Sequence, residues 1–251
     1  MSAAVSLDDL TLGYDGHPAV HHVSGSFAAG SLTAVVGPNG SGKSTLMKGI
    51  TGALKPLGGH ITRDGAIAYL PQGAEIDKSF PATVSELVSL GLWPKRGVFG
   101  GLKAEDRRQV SAALDAVGLD GFARRPLDTL SGGQFQRALF ARLLLMDAPI
   151  VLLDEPFAAV DEKTVRDLVA LIARWHAEGR TVIAVLHDLA LVRRHFPEAL
   201  LLAREAIAWG STPVALRPDT LQRARAMPEA WDETAPWHDE DAPHAHAEAG
   251  L

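Results

Sequence analysis

Eight consecutive residues, Gly37-Pro38-Asn39-Gly40-Ser41-Gly42-Lys43-Ser44, have the types and spacing of a loop that cradles phosphate. Glycines let the backbone fold until its N–H groups point inward at phosphate oxygens, and the start of a following helix adds favourable partial charge. Lys43 is then placed to reach β- and γ-phosphates, and Ser44, followed by Thr45, to offer a hydroxyl to Mg²⁺. A second chemical group is the pair Asp154-Glu155, which ends the apolar run Ile150–Leu153. Alone, such a pair reads as a helix cap with a solvated neighbour. In a chain with a phosphate loop it reads as the complementary half of the site. Asp154 is suited to the Mg²⁺ shell, and Glu155 to orienting and polarising an attacking water. The third group is Leu130-Ser131-Gly132-Gly133-Gln134. A serine and two glycines at a helix start combine hydroxyl, free N–H groups and dipole into a second anion site. A plain capped helix would account for Ser131 and one glycine, not for the pentapeptide.

These groups need a scaffold, and the hydrophobic pattern describes one. Short apolar runs rich in β-branched residues alternate with helix-like stretches, as in a mainly parallel sheet covered by helices. Leu32–Gly37 reads as a buried strand and Lys43–Thr51 as a helix start, with the glycine-rich turn between them. Ala66–Leu70 reads as another strand, ending at Pro71-Gln72. From Phe80 to about Met146 the pattern is mostly helical. Thr83-Val84-Ser85-Glu86 forms a capping box ahead of Leu87, Val88 and Leu90. Val110, Leu114 and Val117 share one helical face, which Gly118 can end. Phe135, Leu139, Phe140, Leu143 and Leu144 stripe the next helix, stopped near Pro149. Strands return at Ile150–Leu153 and Thr181–Leu186, with an amphipathic helix around Val165–Trp175. The sheet core is thus interrupted by a helical insert of roughly 70 residues. After Trp209 the periodicity weakens, and Ala235–Leu251 is expected to lack fixed structure. His21 and His22 are expected to be exposed in an early loop.

With 251 residues, 47% of them apolar, the chain can bury a sizeable core. A net charge of -6 argues against a surface built to neutralise nucleic-acid phosphates. The absence of cysteine excludes disulfides and thiolate metal sites. Met1–Leu10 lacks the basic segment and apolar run of a secretory signal, and no apolar stretch reaches the length of a bilayer span. The chain is expected to be soluble by itself, with any membrane role supplied by a partner.

The three motifs, in this order, resemble the ATP-binding cassette family, whose signature motif is Leu130–Gln134. The resemblance covers roughly Val5 to Trp209. It implies an α/β fold: a RecA-like P-loop NTPase core with a mainly parallel sheet, an N-terminal antiparallel β part and a helical insert. The expected division is one domain over 1–235, with core 1–72 and 147–210, insert 73–146 and C-terminal extension 211–235. Residues 236–251 form a tail. ATP and Mg²⁺ are the implied ligands, with Gly37 to Thr45 around the phosphates and Ser44, Gln72 and Asp154 around the metal. Tyr14 stands where the family stacks an aromatic on adenine. Gln72 matches the glutamine that senses Mg²⁺ and leads into the insert. His187 matches the histidine that contacts the γ-phosphate and positions the water, joining Lys43 and Glu155 as catalytic residues. Taken singly, Tyr14 reads as a surface-turn residue, Gln72 as a solvated loop residue and His187 as structural. Asp161 matches the loop that crosses to a partner subunit. That loop reads Ala158-Ala159-Val160-Asp161, without the serine that precedes the aspartate in the commonest family form.

The resemblance also implies assembly and a task. In the family, the signature of one copy (here Ser131, Gly132, Gly133 and Gln134) closes over ATP held by the phosphate loop of the other. Two copies are therefore expected to pair head-to-tail around two nucleotides. A single unfused cassette looks like a bacterial importer subunit, peripheral at the cytoplasmic face of the inner membrane through a separate permease. A periplasmic or extracellular solute-binding protein would be an indirect partner. Ser79–Val84 with Glu86-Leu87-Val88, and Phe157–Asp161, look most like the zinc/manganese uptake group, zinc first. Iron-siderophore or haem uptake is the alternative. Nucleic-acid-acting cassettes of the repair type place coiled coils or zinc modules between loop and signature, and translation factors carry two cassettes. Here Lys43 and Ser131 lie 88 positions apart, without sustained heptads or cysteines. No nucleic-acid partner is expected. A nonhydrolytic module is disfavoured by Lys43, Asp154, Glu155 and His187 together. The surface from Gln72 to about Val98 is expected to receive a short helix of the membrane subunit, with Lys78 and Ser89 exposed there. In the tail, His238, Asp239, Glu240, Asp241, His244 and His246 fall within nine residues. Imidazole with carboxylate suits Zn²⁺, and a merely solvated end is the other reading.

Overall fold

A computed structural model describes residues 2–72, 78–96, 101–158 and 160–226. The strands are β1 (Ala3–Tyr14), β2 (His17–Ala28), β3 (Leu32–Val36), β4 (Gly58–Arg63), β5 (Ile67–Leu70), β6 (Ile150–Asp154), β7 (Thr181–Val185), β8 (Glu198–Ala203) and β9 (Glu205–Ser211). The helices are α1 (Lys43–Thr51), α2 (Val84–Ser89), α3 (Trp93–Arg96), α4 (Ala104–Ala116), α5 (Gly132–Met146), α6 (Glu162–Ala177), α7 (Leu189–His195), α8 (Thr212–Ala215) and α9 (Pro218–Ala226). Among the described residues, no helix is long and apolar enough to cross a membrane.

Six strands form a sheet in the order β5-β6-β7-β3-β8-β9, parallel throughout except for β9 against β8. Every residue of β3, β6 and β7 is buried, as expected for strands covered on both faces. Because side chains alternate, these strands feed two cores. Ala34, Val36, Val151, Leu153, Val182 and Ala184 face the insert helices and α6. Val35, Ile150, Leu152, Ile183 and Val185 face α1 and the smaller antiparallel sheet β2-β1-β4. That smaller sheet turns at Asp15-Gly16, both at positive φ (50° and 79°), which matches the right-handed twist of the flanking strands. Phe27 and Trp209 join the two sheets, with ring centroids 4.6 Å apart.

The insert follows its local signals. Thr83 caps α2, accepting from Glu86 N, while Glu86 Oε2 accepts from Thr83 N at 2.7 Å. Val110 and Leu114 are buried on α4, and Gly118 stands at positive φ just past its end. Trp175 of α6 stacks on Phe140 of α5 at 5.7 Å.

Two expectations change, and one region gains detail. His21 and His22 belong to β2, not to a loop. A break in register between Leu7 and Leu10 leaves Asp9 and His22 at positive φ, obscuring the alternation, and His21 N donates to Arg204 O across to the large sheet. Within the expected C-terminal extension, where periodicity weakens after Trp209, α8 and α9 pack against β8 and β9. Ser89 is buried on the inner side of α2, donating to Glu86 O at 2.7 Å, and Lys78 is half-buried with its ammonium on the Leu130 carbonyl. The large exposed side chains of this region are instead Phe80 (63%) and Trp93 (49%).

Candidate active site

Strand order assembles the site. The C-terminal ends of β5, β6, β7 and β3, side by side in the sheet, lead to Gln72, Asp154-Glu155, His187 and the Gly37–Ser44 loop. Neighbouring strands are ~4.8 Å apart, so residues distant in sequence come to one edge, where ligands of open parallel sheets collect.

The phosphate loop is fitted tightly at its start and open at its tip. A Cβ at Gly37 would lie 1.9 Å from Leu202 O, so only glycine lets the loop leave β3 this close to β8. Gly42 stands at φ 89°, where a Cβ would also lie 2.4 Å from Val20 Cγ2. Asn39 and Gly40 are exposed, Gly37 and Pro38 half-buried, Ser41 and Thr45 buried, and Ser44 half-buried in the first turn of α1. The buried Lys43 ammonium donates to Pro38 O at 2.7 Å, to Gly37 O at 3.1 Å and to Ser41 Oγ at 3.4 Å. Burial lowers its pKa, against the opposing pull of the Glu155 and Asp154 carboxylates.

Glu155 faces this lysine from the end of β6. Its Oε1 lies 2.7 Å from His187 Nε2, and Gln72 also hydrogen-bonds to its carboxylate. Burial alone would raise its pKa. The bonds from His187 and Gln72 and the charges of His187 and Lys43 outweigh that, holding the carboxyl below its ordinary value. Asp154, 1% exposed, adds a second carboxylate. Among the described residues no three His, Cys, Asp or Glu side chains gather as a metal cage. Asp154, the Ser44 hydroxyl and the Gln72 amide form an all-oxygen donor set on one edge. That fits Mg²⁺, a hard cation held by oxygen donors that takes one or two carboxylates and keeps water and phosphate oxygens in the rest of its shell.

Ser131 opens α5, accepting from Gln134 N at 3.2 Å while Gln134 Oε1 accepts from Ser131 N at 3.0 Å. Ser131 and Gly132 are exposed, whereas Gly133 is buried against α6: a Cβ there would lie 2.9 Å from Thr164 Oγ1 and 3.2 Å from Asp161 Oδ2. Asp161 itself caps α6, accepting from Thr164 N and Thr164 Oγ1, both at 2.9 Å, and these bonds lower its pKa. Tyr14 is 47% exposed at the hairpin end of β1, on the ribbon whose Ala19 and Val20 abut Gly42. His238, His244 and His246 lie outside the described residues.

Sequence reasoning missed several neighbours. Leu221, Ala224 and Arg225 of α9 wall a cavity of about 180 Å³ whose other lining includes Gly37, Pro38 and His187. A second cleft, about 270 Å³, runs from Glu155 and Phe157 to His187 and Leu191. Gln136 Nε2 donates to Pro156 O at 2.7 Å, and the half-buried Arg142 guanidinium, its pKa lowered by desolvation, donates to Tyr69 O at 3.2 Å. These contacts join residues 20 and 73 positions apart, a separation at which local pattern gives no signal.

The ABC transporter family profile matches residues 20–158. The manganese transport system ATP-binding protein MntB of Bacillus subtilis is 37% identical over 227 residues, covering 87% of this chain and 91% of that protein. The zinc transport system ATP-binding protein TroB of Treponema pallidum is 36% identical over 229 residues, covering 88% and 86%. Among solved structures, the dimeric ATP-binding cassette MJ0796 in a post-hydrolysis state with ADP and Pi is 27% identical, with a TM-score of 0.74, covering 83% of this chain and 98% of that one. The chain belongs to the ABC transporter family, and is one of its ATP-binding, ATP-hydrolysing cassettes.

Proposed function

We propose that this chain drives an importer of a divalent transition-metal ion, zinc ahead of manganese, as a head-to-tail pair seated on a separate membrane permease. The observation that carries the catalytic part is the Glu155–His187 pair at 2.7 Å, facing Lys43 across one sheet edge. On this reading the Gly37–Ser44 backbone binds the phosphates, and Lys43 exchanges the Gly37 and Pro38 carbonyls for phosphate oxygens. Asp154 and Ser44, with Gln72, would hold Mg²⁺, whose charge neutralises the β- and γ-phosphates. Glu155, kept ionised by its partners, accepts a proton from the attacking water, and His187 fixes the carboxylate and reaches the γ-phosphate. Tyr14 stacks on the base. Exposed Ser131 and Gly132 close over the nucleotide of the second copy, with the Asp161 loop beside them. The single domain over 1–235 is proposed to work as one unit in that pair.

The cargo reading is supported by relatives whose names specify manganese and zinc. It is tested by metal content in cells whose only copy carries Lys43→Ala. During growth at limiting metal, zinc is expected to fall several-fold and manganese less. A fall in manganese alone would transfer the assignment to that ion, and a fall confined to iron would overturn it.

Docking on the permease is proposed through the insert around Phe80 and Trp93, which leave large apolar surface in water. Cysteines at these two positions should cross-link to the permease in membranes. Cross-links only from the edge strand β9 or from α9 would refute this docking surface.

A further inference from the structure

We propose that Gln136 is a positioning residue for Glu155, and that it links the two nucleotide sites of the pair. The proposal rests on the head-to-tail reading above and deepens it. Glu155 stands at φ 50°, a left-handed conformation that a residue with a side chain keeps only where its surroundings hold it. The holds can be named. Glu155 N donates to Val185 O at 3.2 Å, and Ala158 N donates to Glu155 O at 3.2 Å. Pro156 has no N–H, so its carbonyl is its one backbone handle on the rest of the molecule. Gln136 Nε2 takes that carbonyl at 2.7 Å.

Gln136 lies five residues beyond Ser131, in the helix that Ser131 caps. The same helix grips the far end of the segment that follows Glu155. Gly133 packs against Asp161 and Thr164, and Arg137 donates to Asp167 Oδ2 at 2.6 Å and to Val117 O at 2.9 Å. The start of α5 therefore clasps the stretch from Pro156 to Asp167 at both ends. In a head-to-tail pair, Ser131 meets one nucleotide while Glu155 of the same chain serves the other. A shift of Ser131 on closure passes along about one and a half rigid helical turns to Gln136, and from there to the peptide beside Glu155. Each nucleotide then sets the carboxylate that acts on its neighbour.

The test uses the full chain and steady-state ATP hydrolysis. Gln136→Met keeps the length and removes the donor. It is expected to lower kcat ~10-fold, to change KM for ATP less than ~2-fold, and to bring the Hill coefficient toward 1. Gln136→Lys restores a donor of similar reach and should recover kcat to within ~3-fold of the unmodified chain. In a Glu155→Gln background, Gln136→Met should leave the residual rate within ~2-fold, because its effect runs through Glu155. An unchanged kcat would overturn the proposal. So would an equal loss in the Glu155→Gln background accompanied by a lower melting temperature, which marks a purely structural contact. If Gln136→Met does not fold, Gln136→Glu carries the same test, since its carboxylate can only accept. Wild-type turnover in Glu155→Gln alone would instead remove the site reading beneath the proposal.

Discussion

Glu155→Gln is expected to slow ATP hydrolysis at least ~100-fold while leaving ATP affinity within ~3-fold. The amide keeps the shape of the side chain and can still meet His187 and Gln72, so the phosphate loop is undisturbed. It cannot take a proton from water. A 100-fold loss corresponds to ~2.7 kcal/mol of transition-state stabilisation, within reach of a single positioned base. In the head-to-tail pair proposed above closure precedes hydrolysis, so the variant should accumulate as an ATP-bound dimer. Sedimentation in ATP should find a dimer that neither ADP nor the nucleotide-free chain gives. Near-normal turnover without an ATP-dependent dimer would remove Glu155 from the role assigned to it.

Gly37→Ala should be nearly as damaging by a different route. The added methyl would lie 1.9 Å from Leu202 O, a backbone atom of β8 that cannot rotate away. The loop must move instead, and overpacking of this kind costs about 1–3 kcal/mol. For a chain of this size that is a melting temperature lower by about 2–12 °C. The loop that moves is the one holding Lys43, so ATP affinity is expected to fall at least ~10-fold, about 1.4 kcal/mol. Gly40→Ala is the comparison. A Cβ there meets nothing within 4 Å, and the residue stands at φ 75° on the exposed tip. It should lose only the ~1 kcal/mol of the left-handed backbone. Equal effects from the two substitutions would show that close approach to β8 is not what Gly37 provides.

What could be read from the sequence was what local chemistry writes into adjacent residues. The phosphate loop, the capping box at Thr83, the helix start at Ser131, and the wholly buried runs of β3, β6 and β7 are each specified within a few positions. Strand order was not so specified, yet it brings Gln72, Glu155 and His187 to one edge. That these residues share one site entered the reading only through family resemblance. β9 was overlooked because its residues are mostly half-buried, so neither alternation nor an apolar run marks it. α9 is a short polar helix with Ala224 as its buried residue, and only the fold shows it walling a cavity beside His187. Ser89 looked like a surface residue because serine usually is one, whereas the packing of α2 turns it inward. The Gln136–Pro156 bond is tertiary, and no spacing rule announces it.

The order β5-β6-β7-β3 has a consequence for how such a molecule can change over time. Separation between adjacent strand ends is fixed by backbone hydrogen bonds and is nearly indifferent to the side chains between them. The reacting groups therefore hang from a gauge that substitution in the core does not recalibrate, provided the interior stays filled. Phe80 and Trp93 sit on the insert, away from that gauge, and under the docking proposed above their replacement would alter fit to a membrane partner without altering reach to a phosphate. On that proposal a lineage could refit the motor to a new pore by drift on one face, leaving the stroke untouched.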